Sequence, residues 1–338
     1  MEFRTLGRSG AVVSTYALGT MTFGNETDEA GSHQQLDRYT ELGGNFIDTA
    51  DVYSAGVSEQ IVGRWLSKSS ARDRVVLATK GRFSTGDGPN DVGTSRRHLR
   101  RALDASLTRL QVDHIDLYQL HAWDPVTPLE ETLSFLEDAV RAGKIGYGGL
   151  SNFTGWQLQK ACDLIAHRGW SPLVTLQPQY NLLVREIEWE IVPAAQENGL
   201  GLLPWSPLGG GWLTGKYSFD EEPTGATRLG ENPDRGVESW FRRSRNQRVR
   251  DVVTAVRTIA EARGISMAQV ALAWLVDRPA MTSVILGART LEQLDDNLGA
   301  ADLHLTKDET EQLDQASDPG AADYPYGGPG VDQRDRQV

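Results

Sequence analysis

Four side chains able to hold or move a proton lie at the ends of predicted β-strands, or a few residues after them: Asp48, Tyr53, Lys80 and His121. In a parallel α/β barrel, the C-terminal strand ends and the loops that follow them converge on one face, so residues far apart in sequence can share one pocket. An acid, a phenol, a lysine and a histidine are groups that general acid–base catalysis uses. Their positions therefore predict a proton-transfer site.

The roles of these four groups depend on one another. A tyrosine has a pKa of about 10 in water, so Tyr53 needs a neighbouring positive charge to act as an acid or base near neutral pH. Lys80 can supply that charge, and Asp48 can keep the ammonium protonated and in place if the site is buried. His121 can hydrogen-bond the substrate oxygen or the phenol. The set suits protonation of a carbonyl oxygen by Tyr53, although Asp48 alone could cap a helix and His121 alone could be a loop histidine.

Strand-like and helix-like segments alternate along the chain. Amphipathic stretches such as Thr94–Leu110, with leucines at helical spacing, separate the strands. Eight such units predict a closed (β/α)8 barrel, a TIM barrel. An open doubly wound sheet shows the same alternation, but the Gly-x-Gly-x-x-Gly that usually follows its first strand is missing from this sequence. The predicted strands are Tyr16–Thr20, Asn45–Ala50, Val75–Lys80, Ile115–Leu120, Tyr147–Asn152, Val174–Gln179, Gly201–Pro207 and Ser283–Gly287.

Three segments do not follow the alternation. Phe3–Val13 is predicted to form a hairpin that closes the bottom of the barrel. Ser218–Arg245, rich in Gly, Pro and charge, is predicted to be a long loop after the seventh strand, a functional lid or disordered. From Ala316 onward the chain is too rich in Gly and Pro for regular structure. We therefore expect one domain over residues 1–338, with a core of about 3–315 and an irregular tail of 316–338, although length alone would also allow two domains.

Composition indicates the class of partner. The 338 residues are 39% hydrophobic and 24% charged, which is ordinary for a globular protein with a large core. The net charge of −12 argues against nucleic acid or an anionic membrane as the main partner and favours small molecules. The single cysteine, Cys162, cannot form an internal disulfide. Because no signal-peptide pattern or apolar run of roughly 20 residues is present, we expect a cytoplasmic protein that does not span a membrane.

Four motifs in the chain resemble those of the aldo-keto reductases. They occur in the family's order, and the first keeps the family's interval of five residues between its aspartate and tyrosine. The motifs are Asn45-Phe-Ile-Asp-Thr-Ala-Asp-Val-Tyr-Ser-Ala-Gly-Val-Ser-Glu59, Leu77-Ala-Thr-Lys80, Asp116-Leu-Tyr-Gln-Leu-His121 and Gly149-Leu-Ser-Asn-Phe153. The resemblance runs from about Phe3 to Asp314. It implies that Asp48, Tyr53, Lys80 and His121 form the catalytic tetrad of a reductase of aldehydes or ketones.

Two further stretches resemble one branch of that family. They are Leu18-Gly-Thr-Met21 and Pro204-Trp-Ser-Pro-Leu-Gly-Gly-Gly-Trp-Leu-Thr-Gly-Lys-Tyr217, and they look like the branch that includes bacterial reductases and the potassium-channel β subunits. The branch leaves a second function open, because a regulatory partner subunit could bind cofactor with negligible turnover. A third class, a metal-dependent barrel hydrolase, would need several His or carboxylate ligands at strand ends. Only His121 of the six histidines is so placed, so no metal site is predicted.

Reduction of a carbonyl requires a hydride donor, and in the absence of metal or flavin motifs a nicotinamide is the economical choice. Side chains with amide or hydroxyl groups at later strand ends can bond the carboxamide, and an indole face can stack on the ring. In the family, the residues matching Ser151, Asn152, Gln177 and Trp205 do these jobs. The candidates for the nicotinamide end are Thr20, Met21, Ser151, Asn152, Gln177 and Trp205.

A glycine-rich loop after the seventh strand could bind the phosphates. Its backbone N–H groups and the ammonium of Lys216 could approach an anion without bulky side chains in the way. The candidates from this region are Ser206, Pro207, Leu208, Gly209, Gly210 and Lys216. The resemblance assigns Arg289, Gln293 and Asn297 to the adenosine 2′-phosphate and adenine, on a helix that Thr290 is predicted to cap.

The predicted cofactor is NADPH rather than NADH. Many family members have a lysine where this chain has Gly287, so the 2′-phosphate would rest on Arg289, and on Arg228 if the long loop folds over the cofactor as a clamp. Arginine geometry suits a phosphate, and the acidic ribose-binding residue expected for NADH is not evident. For the small-molecule carbonyl substrate the candidate is Trp123, in an aromatic mouth that Met21, or the tail around Tyr324 and Tyr326, could complete. Trp123 could equally be a core residue.

Overall fold

A barrel of parallel strands forms the centre of the computed structural model, which describes residues 1–321 and 323–328. The strands are β1 (Phe3–Thr5), β2 (Val12–Ser14), β3 (Tyr16–Gly19), β4 (Phe46–Asp48), β5 (Val76–Gly81), β6 (Ile115–Leu120), β7 (Ile145–Ser151), β8 (Leu173–Gln177), β9 (Gly201–Leu202) and β10 (Val284–Leu286). The α-helices are α1 (Glu29–Glu41), α2 (Val57–Ser69), α3 (Arg96–Leu110), α4 (Leu129–Arg141), α5 (Gly155–Arg168), α6 (Ile191–Glu197), α7 (Arg228–Glu231), α8 (Trp240–Arg243), α9 (Gln247–Arg263), α10 (Met267–Val276), α11 (Leu291–Leu298) and α12 (Lys307–Ser317). Helices thus alternate with strands as predicted.

The eight barrel strands lie in the order β10-β3-β4-β5-β6-β7-β8-β9, and all pairs are parallel. The two end strands approach each other through backbone hydrogen bonds. The N–H of Thr282 donates to the carbonyl of Leu202 at 3.0 Å, and the N–H of Ile285 donates to that of Pro204 at 3.1 Å. The sheet therefore closes on itself, and the predicted (β/α)8 barrel is confirmed.

Apolar side chains fill the barrel interior. Because successive side chains of a strand point to opposite faces, one set enters the barrel and the other meets the helices. The inner set is Leu6, Val13, Ala17, Phe46, Ala78, Leu117, Val174, Leu203 and Ile285. Outside the strands, α3 shows how a helix covers the barrel: Ser95 caps its first turn and its leucines Leu99, Leu103 and Leu110 are buried.

The predicted N-terminal hairpin is confirmed and lies at the bottom of the barrel. Strands β1 and β2 pair antiparallel, and their fully buried Leu6 and Val13 join the interior cluster. Gly7 has a φ of 56° and lies so near β8 that a Cβ atom there would be 2.0 Å from the carbonyl oxygen of Val174. Only glycine fits such a left-handed position in close backbone contact.

The segment 218–245, called the lid segment below, is more ordered than the predicted loop. It contains α7, a 3₁₀ turn at Gly236–Glu238 and α8, and Leu229 within it is fully buried. These helical pieces are three or four residues long, too short to give a periodic pattern in the sequence. The seventh barrel strand, β9, is shorter than the predicted Gly201–Pro207, because Ser206 has a left-handed φ of 54° and two prolines cannot donate to a ladder.

The end of the chain is partly as predicted. Helix α12 continues two residues into the expected irregular tail and ends at Ser317. The described residues after it, 318–321 and 323–328, form no helix or strand, and the rest of the predicted tail lies outside the described residues. Cys162 of α5 is partly buried against the core.

None of the described helices is by itself long and apolar enough to cross a membrane. Helices α9 and α10 pass that test of length and composition only together, across a bend of 105°.

Candidate active site

The C-terminal ends of the barrel strands surround a cavity of about 510 Å³. Asp48 ends β4, His121 follows β6, Ser151 ends β7 and Gln177 ends β8, so four separate strands bring polar groups to one rim. The predicted residues that line it are Met21, Asp48, Tyr53, His121, Ser151, Asn152, Gln177, Trp205, Ser206, Pro207, Leu208, Gly210, Lys216, Arg228, Gly287, Arg289, Gln293 and Asn297.

Lys80 lies beneath this rim and is fully buried. Its Nζ donates to Asp48 Oδ2 at 2.6 Å, to the carbonyl oxygen of Thr49 at 2.8 Å and to the hydroxyl of Tyr53 at 3.3 Å. An ammonium has three N–H bonds, and each has an acceptor here. The lysine is therefore held in one orientation, with its charge between the carboxylate and the phenol.

Asp48 is fixed by two amide side chains in addition to Lys80. Its Oδ1 accepts from Gln119 Nε2 at 3.2 Å and from Gln177 Nε2 at 2.9 Å. A buried carboxylate is stable only when its oxygens have such donors. Sequence reasoning missed Gln119 because it lies inside β6 rather than at its end.

Tyr53 begins a strained turn. The next two residues, Ser54 and Ala55, have left-handed φ values of 49° and 53°, and the Ser54 hydroxyl donates to the carbonyl of Phe23 at 2.8 Å. Non-glycine residues adopt this conformation only where the surrounding structure enforces it. The turn directs the phenol toward Lys80 rather than to solvent.

The electrostatics of Tyr53 differ from the sequence-based expectation. Burial raises its pKa, Lys80 lowers it and Asp48 raises it again, so the pKa lies above its ordinary value. Burial would lower the pKa of Lys80, but Asp48 and Tyr53 outweigh it and the pKa of Lys80 is raised. The lysine is thus a stable cation, and Tyr53 keeps its proton across the neutral range.

His121 is a neutral group in this site. Burial, then the positive charges of Lys80 and Arg82, lower the pKa of His121 to about 2. Its ring meets Tyr53 edge-on, with centroids 6.0 Å apart, and Phe83 at 4.6 Å. A neutral imidazole can donate one hydrogen bond to an oxygen atom of a ligand but is not a strong acid.

The candidates for the nicotinamide end form a linked set. Asn152 Nδ2 donates to the carbonyl oxygen of His121 at 2.9 Å, and its Oδ1 accepts from Trp205 Nε1 at 3.0 Å. The Ser151 hydroxyl donates to the carbonyl of Gln177 at 2.9 Å. Because Gln177 Nε2 is bonded to Asp48, the Oε1 atom is the part of that amide available to a ligand N–H.

Positive charges at the other end of the cavity suit phosphates. Burial, then Arg289 and Arg228, lower the pKa of Lys216, and no carboxylate of the described residues pairs with it. A Cβ atom at Gly211 would lie 2.5 Å from Lys216 Cε, so the glycine is needed for the lysine to occupy its place. Next to Gly287 no atom lies within 4 Å of the Cβ position, which leaves room for a ligand against the backbone.

Glutamates of the lid segment pair with both predicted phosphate arginines, Arg289 and the lid residue Arg228. Glu231 pairs with Arg289 through Nη2 at 3.0 Å and Nη1 at 3.2 Å, and Glu26 accepts from Arg289 Nη2 at 2.7 Å. Arg228 Nε donates to Glu238 at 3.0 Å, and Glu238 also accepts a short hydrogen bond from the Ser206 hydroxyl. Sequence reasoning missed these glutamates, since pairing across 10 to 263 residues leaves no periodic pattern.

The structure places three predicted contacts outside the cavity wall. Thr20 is fully buried and its hydroxyl contacts Ser58 Oγ at 2.8 Å, because this side chain faces α2 rather than the rim. Gly209 is buried, and its Cβ position faces Arg243 Nη1 at 2.9 Å and Leu183 Cδ1 at 3.1 Å. Trp123 is partly buried and packs edge-on against Phe153 and the exposed Trp156, and it is not among the residues that line the cavity.

Other residues line the cavity without having been predicted. They are Gly19, Thr22, Thr214, Ser266, Met267, Ala268, Ile285, Leu286, Ala288 and Asp296, while Gly211 belongs to the predicted glycine-rich loop. Most lie in a strand or at the start of α10, and their side chains are not of a type that indicates a binding site. Of the tail tyrosines, Tyr324 is exposed and Tyr326 stacks on Trp189. In the part of the chain that the structure describes, no group of three or more His, Cys, Asp or Glu could hold a metal ion.

Comparisons with known proteins agree with this geometry. Residues 16–318 match the model of the Aldo/keto reductase family. The chain is 41% identical over 317 residues to an uncharacterised oxidoreductase, YrpG, of Bacillus subtilis, covering 91% of this chain and 93% of that one. It is 34% identical to versiconal hemiacetal acetate reductase of Aspergillus parasiticus, with 95% and 98% covered. It is 35% identical to a probable voltage-gated potassium channel subunit beta of Arabidopsis thaliana, with 90% and 92% covered.

Proposed function

This chain belongs to the aldo/keto reductase family and is an oxidoreductase, and we propose that it reduces an aldehyde or ketone to an alcohol with NADPH, reversibly. The observation that carries the proposal is the contact of Lys80 Nζ with both Asp48, at 2.6 Å, and Tyr53, at 3.3 Å. The family was expected from the sequence motifs, and the match confirms it.

The tetrad would protonate the carbonyl oxygen. The hydroxyl of Tyr53 accepts a hydrogen bond from Lys80, so its own proton is free to be donated to a substrate. When that proton leaves, the adjacent ammonium stabilises the phenolate, and Asp48 keeps the ammonium in place. His121, being neutral, would orient the carbonyl with an N–H hydrogen bond.

The cavity fits a nicotinamide dinucleotide. Such a cofactor, when bound, supplies the hydride. Gln177 Oε1 and the Ser151 hydroxyl would hold the carboxamide, and Trp205, fixed by Asn152, would stack on the ring. Lys216, which lacks a carboxylate partner among the described residues, would bind the pyrophosphate.

NADPH is favoured because Arg289 lies on the cavity wall at the predicted 2′-phosphate position. A phosphate there would take over the guanidinium that Glu231 now contacts in a bidentate manner. NADH offers only a hydroxyl at that place and could not neutralise the guanidinium.

The partner is proposed to be a small carbonyl compound, with no nucleic acid or membrane involved, and the location cytoplasmic. The net charge of −12 supports this, since it disfavours polyanionic partners.

The test is Tyr53→Phe, with the exposed Tyr324→Phe as the matched control. Aldehyde reduction, followed by loss of NADPH absorbance, should fall about 10²–10⁴-fold in Tyr53→Phe and be unchanged in Tyr324→Phe. NADPH binding, followed by quenching of tryptophan fluorescence that Trp205→Phe removes, should persist in both. Retained turnover in Tyr53→Phe contradicts the acid assignment. Binding without turnover in the unmodified protein, over a panel of aldehydes, ketones and ketosugars, would instead favour a regulatory subunit, the function named for the plant relative.

A further inference from the structure

Asp51 is a buried carboxyl group for which the tetrad chemistry has no use. It is 3% exposed, and neither side-chain oxygen accepts a hydrogen bond of normal geometry from the described residues. Its backbone N–H donates to the carbonyl oxygen of Lys80 at 3.1 Å, so it lies directly beside the tetrad. Burying an unpartnered carboxyl is costly, and such a group in a native fold calls for an explanation.

A second unpartnered group faces it. The hydroxyl of Tyr118, on β6, is fully buried and also lacks a hydrogen-bond partner in the described structure. Between them lies Gly81, where a Cβ atom would come within 2.2 Å of the Tyr118 hydroxyl and 3.5 Å of Asp51 Oδ2. The lack of a side chain at Gly81, immediately after Lys80, therefore leaves the space that the Tyr118 hydroxyl occupies near Asp51.

The cationic side chains around Asp51 form ion pairs with other carboxylates. Arg109 of α3 donates to Glu59 at 2.7 Å, and Glu59 of α2 also accepts from Thr79 at 2.6 Å. Lys80 is bound to Asp48 at 2.6 Å on the other side. Asp51 is thus the excess acid of the group, and it shares this buried region with Glu59, Arg109, Lys80, Tyr118 and the nearby Tyr53.

We propose, on the basis of the proposed function, that Asp51 is a positioning residue whose change of charge controls how firmly Tyr53 holds its proton. Burial first, and Glu59 second, raise the pKa of Asp51 to about 7, against smaller opposing effects of Arg109, the backbone N–H of Val52 and Lys80. Below that pH, Asp51 is neutral and no longer opposes the effect of the Lys80 ammonium, which lowers the pKa of Tyr53. Above it, the negative Asp51 raises the pKa of Tyr53 and makes the phenol a weaker acid.

The effect has a definite sign in the reverse reaction. Oxidation of an alcohol needs the Tyr53 phenolate, so an ionised Asp51 delays the rise of this rate with pH. Asp51→Asn should shift the rise to lower pH and increase oxidation at pH 8 on the order of threefold to tenfold, which corresponds to a change of about half to one pKa unit. The exposed Asp87→Asn should leave the profile unchanged.

A second measurement needs no turnover. The folded pKa of Asp51, about 7, lies above the value of about 3.9 for an unfolded chain, so only the unfolded state loses this proton as pH rises from 4 to 7. The folding equilibrium constant then falls about tenfold per pH unit through this group alone. The difference in unfolding midpoint between Asp51→Asn and the unmodified protein should therefore widen across that range in favour of the variant.

Carboxyl ¹³C NMR of aspartate-labelled, unmodified protein gives the decisive outcome even if the variant folds poorly. We expect one aspartate resonance that titrates near neutral pH, and it should disappear in Asp51→Asn. The inference is overturned if every aspartate titrates below about pH 5, near the ordinary value, or if the oxidation profile of Asp51→Asn matches that of the unmodified protein. Absence of all turnover would refute the proposed function alone, because the resonance and the stability difference still report on Asp51.

Discussion

Lys80 links the other groups of the site, since its three N–H bonds donate to a carboxylate, a backbone carbonyl and a phenol. A lysine this deeply buried is tolerated because Asp48 compensates its charge. Removing one member of a buried ion pair leaves the other as an uncompensated charge, whereas removing both can be nearly neutral. The two carboxyl groups near Lys80 differ in their hydrogen bonds. Asp48 accepts from three side chains, whereas Asp51 accepts from none.

Asp48→Asn should therefore lower the free energy of unfolding by about 3–5 kcal/mol and abolish reduction. The double variant with Lys80→Met should regain part of the stability and none of the activity. Denaturant titrations measure the first effect and NADPH consumption the second. As a control, Asp104→Asn breaks an exposed pair with Lys144 and should cost no more than about 1 kcal/mol. If Asp48→Asn and Asp104→Asn lower the free energy of unfolding equally, the buried pair of Asp48 and Lys80 contributes no more to stability than an exposed one.

Sequence reasoning could identify the tetrad because each member is a reactive type next to a strand end. It could not identify Gln119, whose amide donates to Asp48, or Asp51, whose proposed role follows from burial without a side-chain partner. It also predicted the wrong direction for the pKa of Tyr53. The residue types show that Lys80 lowers this pKa, but they do not show that burial raises it by more.

At the scale of elements, the eight-stranded barrel and the cap of α11 were accessible to sequence reasoning, and the helices of the lid segment were not. Thr290 caps α11 as predicted, because its hydroxyl accepts a hydrogen bond from the backbone N–H of Gln293. The short helices of the lid segment depend instead on distant contacts, such as Glu231 with Arg289 and Glu238 with Ser206. Propensity cannot stabilise a four-residue helix in isolation, so only the tertiary structure explains it.

The lid segment leads to a prediction about cofactor preference. Glu231 occupies the guanidinium of Arg289 that a 2′-phosphate would need, so Glu231→Gln should strengthen NADPH binding relative to NADH by about twofold to fivefold, the range expected for a partly exposed ion pair. Dissociation constants from tryptophan fluorescence test this.

Two variants control the measurement. Glu222→Gln alters an exposed lid residue for which the structure gives no ion pair, and it should leave the ratio of the two constants unchanged. In an Arg289→Ala background, which should itself weaken NADPH far more than NADH, Glu231→Gln should lose its selective effect, since coupled residues are not additive. If Glu231→Gln changes both cofactors equally, Arg289 has no 2′-phosphate role.

At the scale of the whole molecule, the two ends of the barrel have different tasks. The C-terminal rim carries the polar cavity, and the opposite end is closed by the hairpin of β1 and β2, whose Leu6 and Val13 complete the interior packing. The sequence predicts this closure from glycines between apolar residues, but the reason for Gly7 is tertiary. Its α-carbon lies against the backbone of β8 and β9, near Val174 and Gly201.

Gly7→Ala should accordingly weaken the fold without altering the chemistry. The new methyl group would meet the Val174 carbonyl at 2.0 Å and impose a left-handed φ on alanine, so the free energy of unfolding should fall on the order of 3 kcal/mol. Below the unfolding temperature, the KM for NADPH should stay unchanged, because the cavity is at the other end of the barrel. Gly10→Ala, in the same hairpin but with no atom within 4 Å of its Cβ position, should be nearly neutral. If the two variants are equally stable, the hairpin is not a tight closure, and a change in KM confined to Gly7→Ala would mean that the two ends are coupled through the barrel interior.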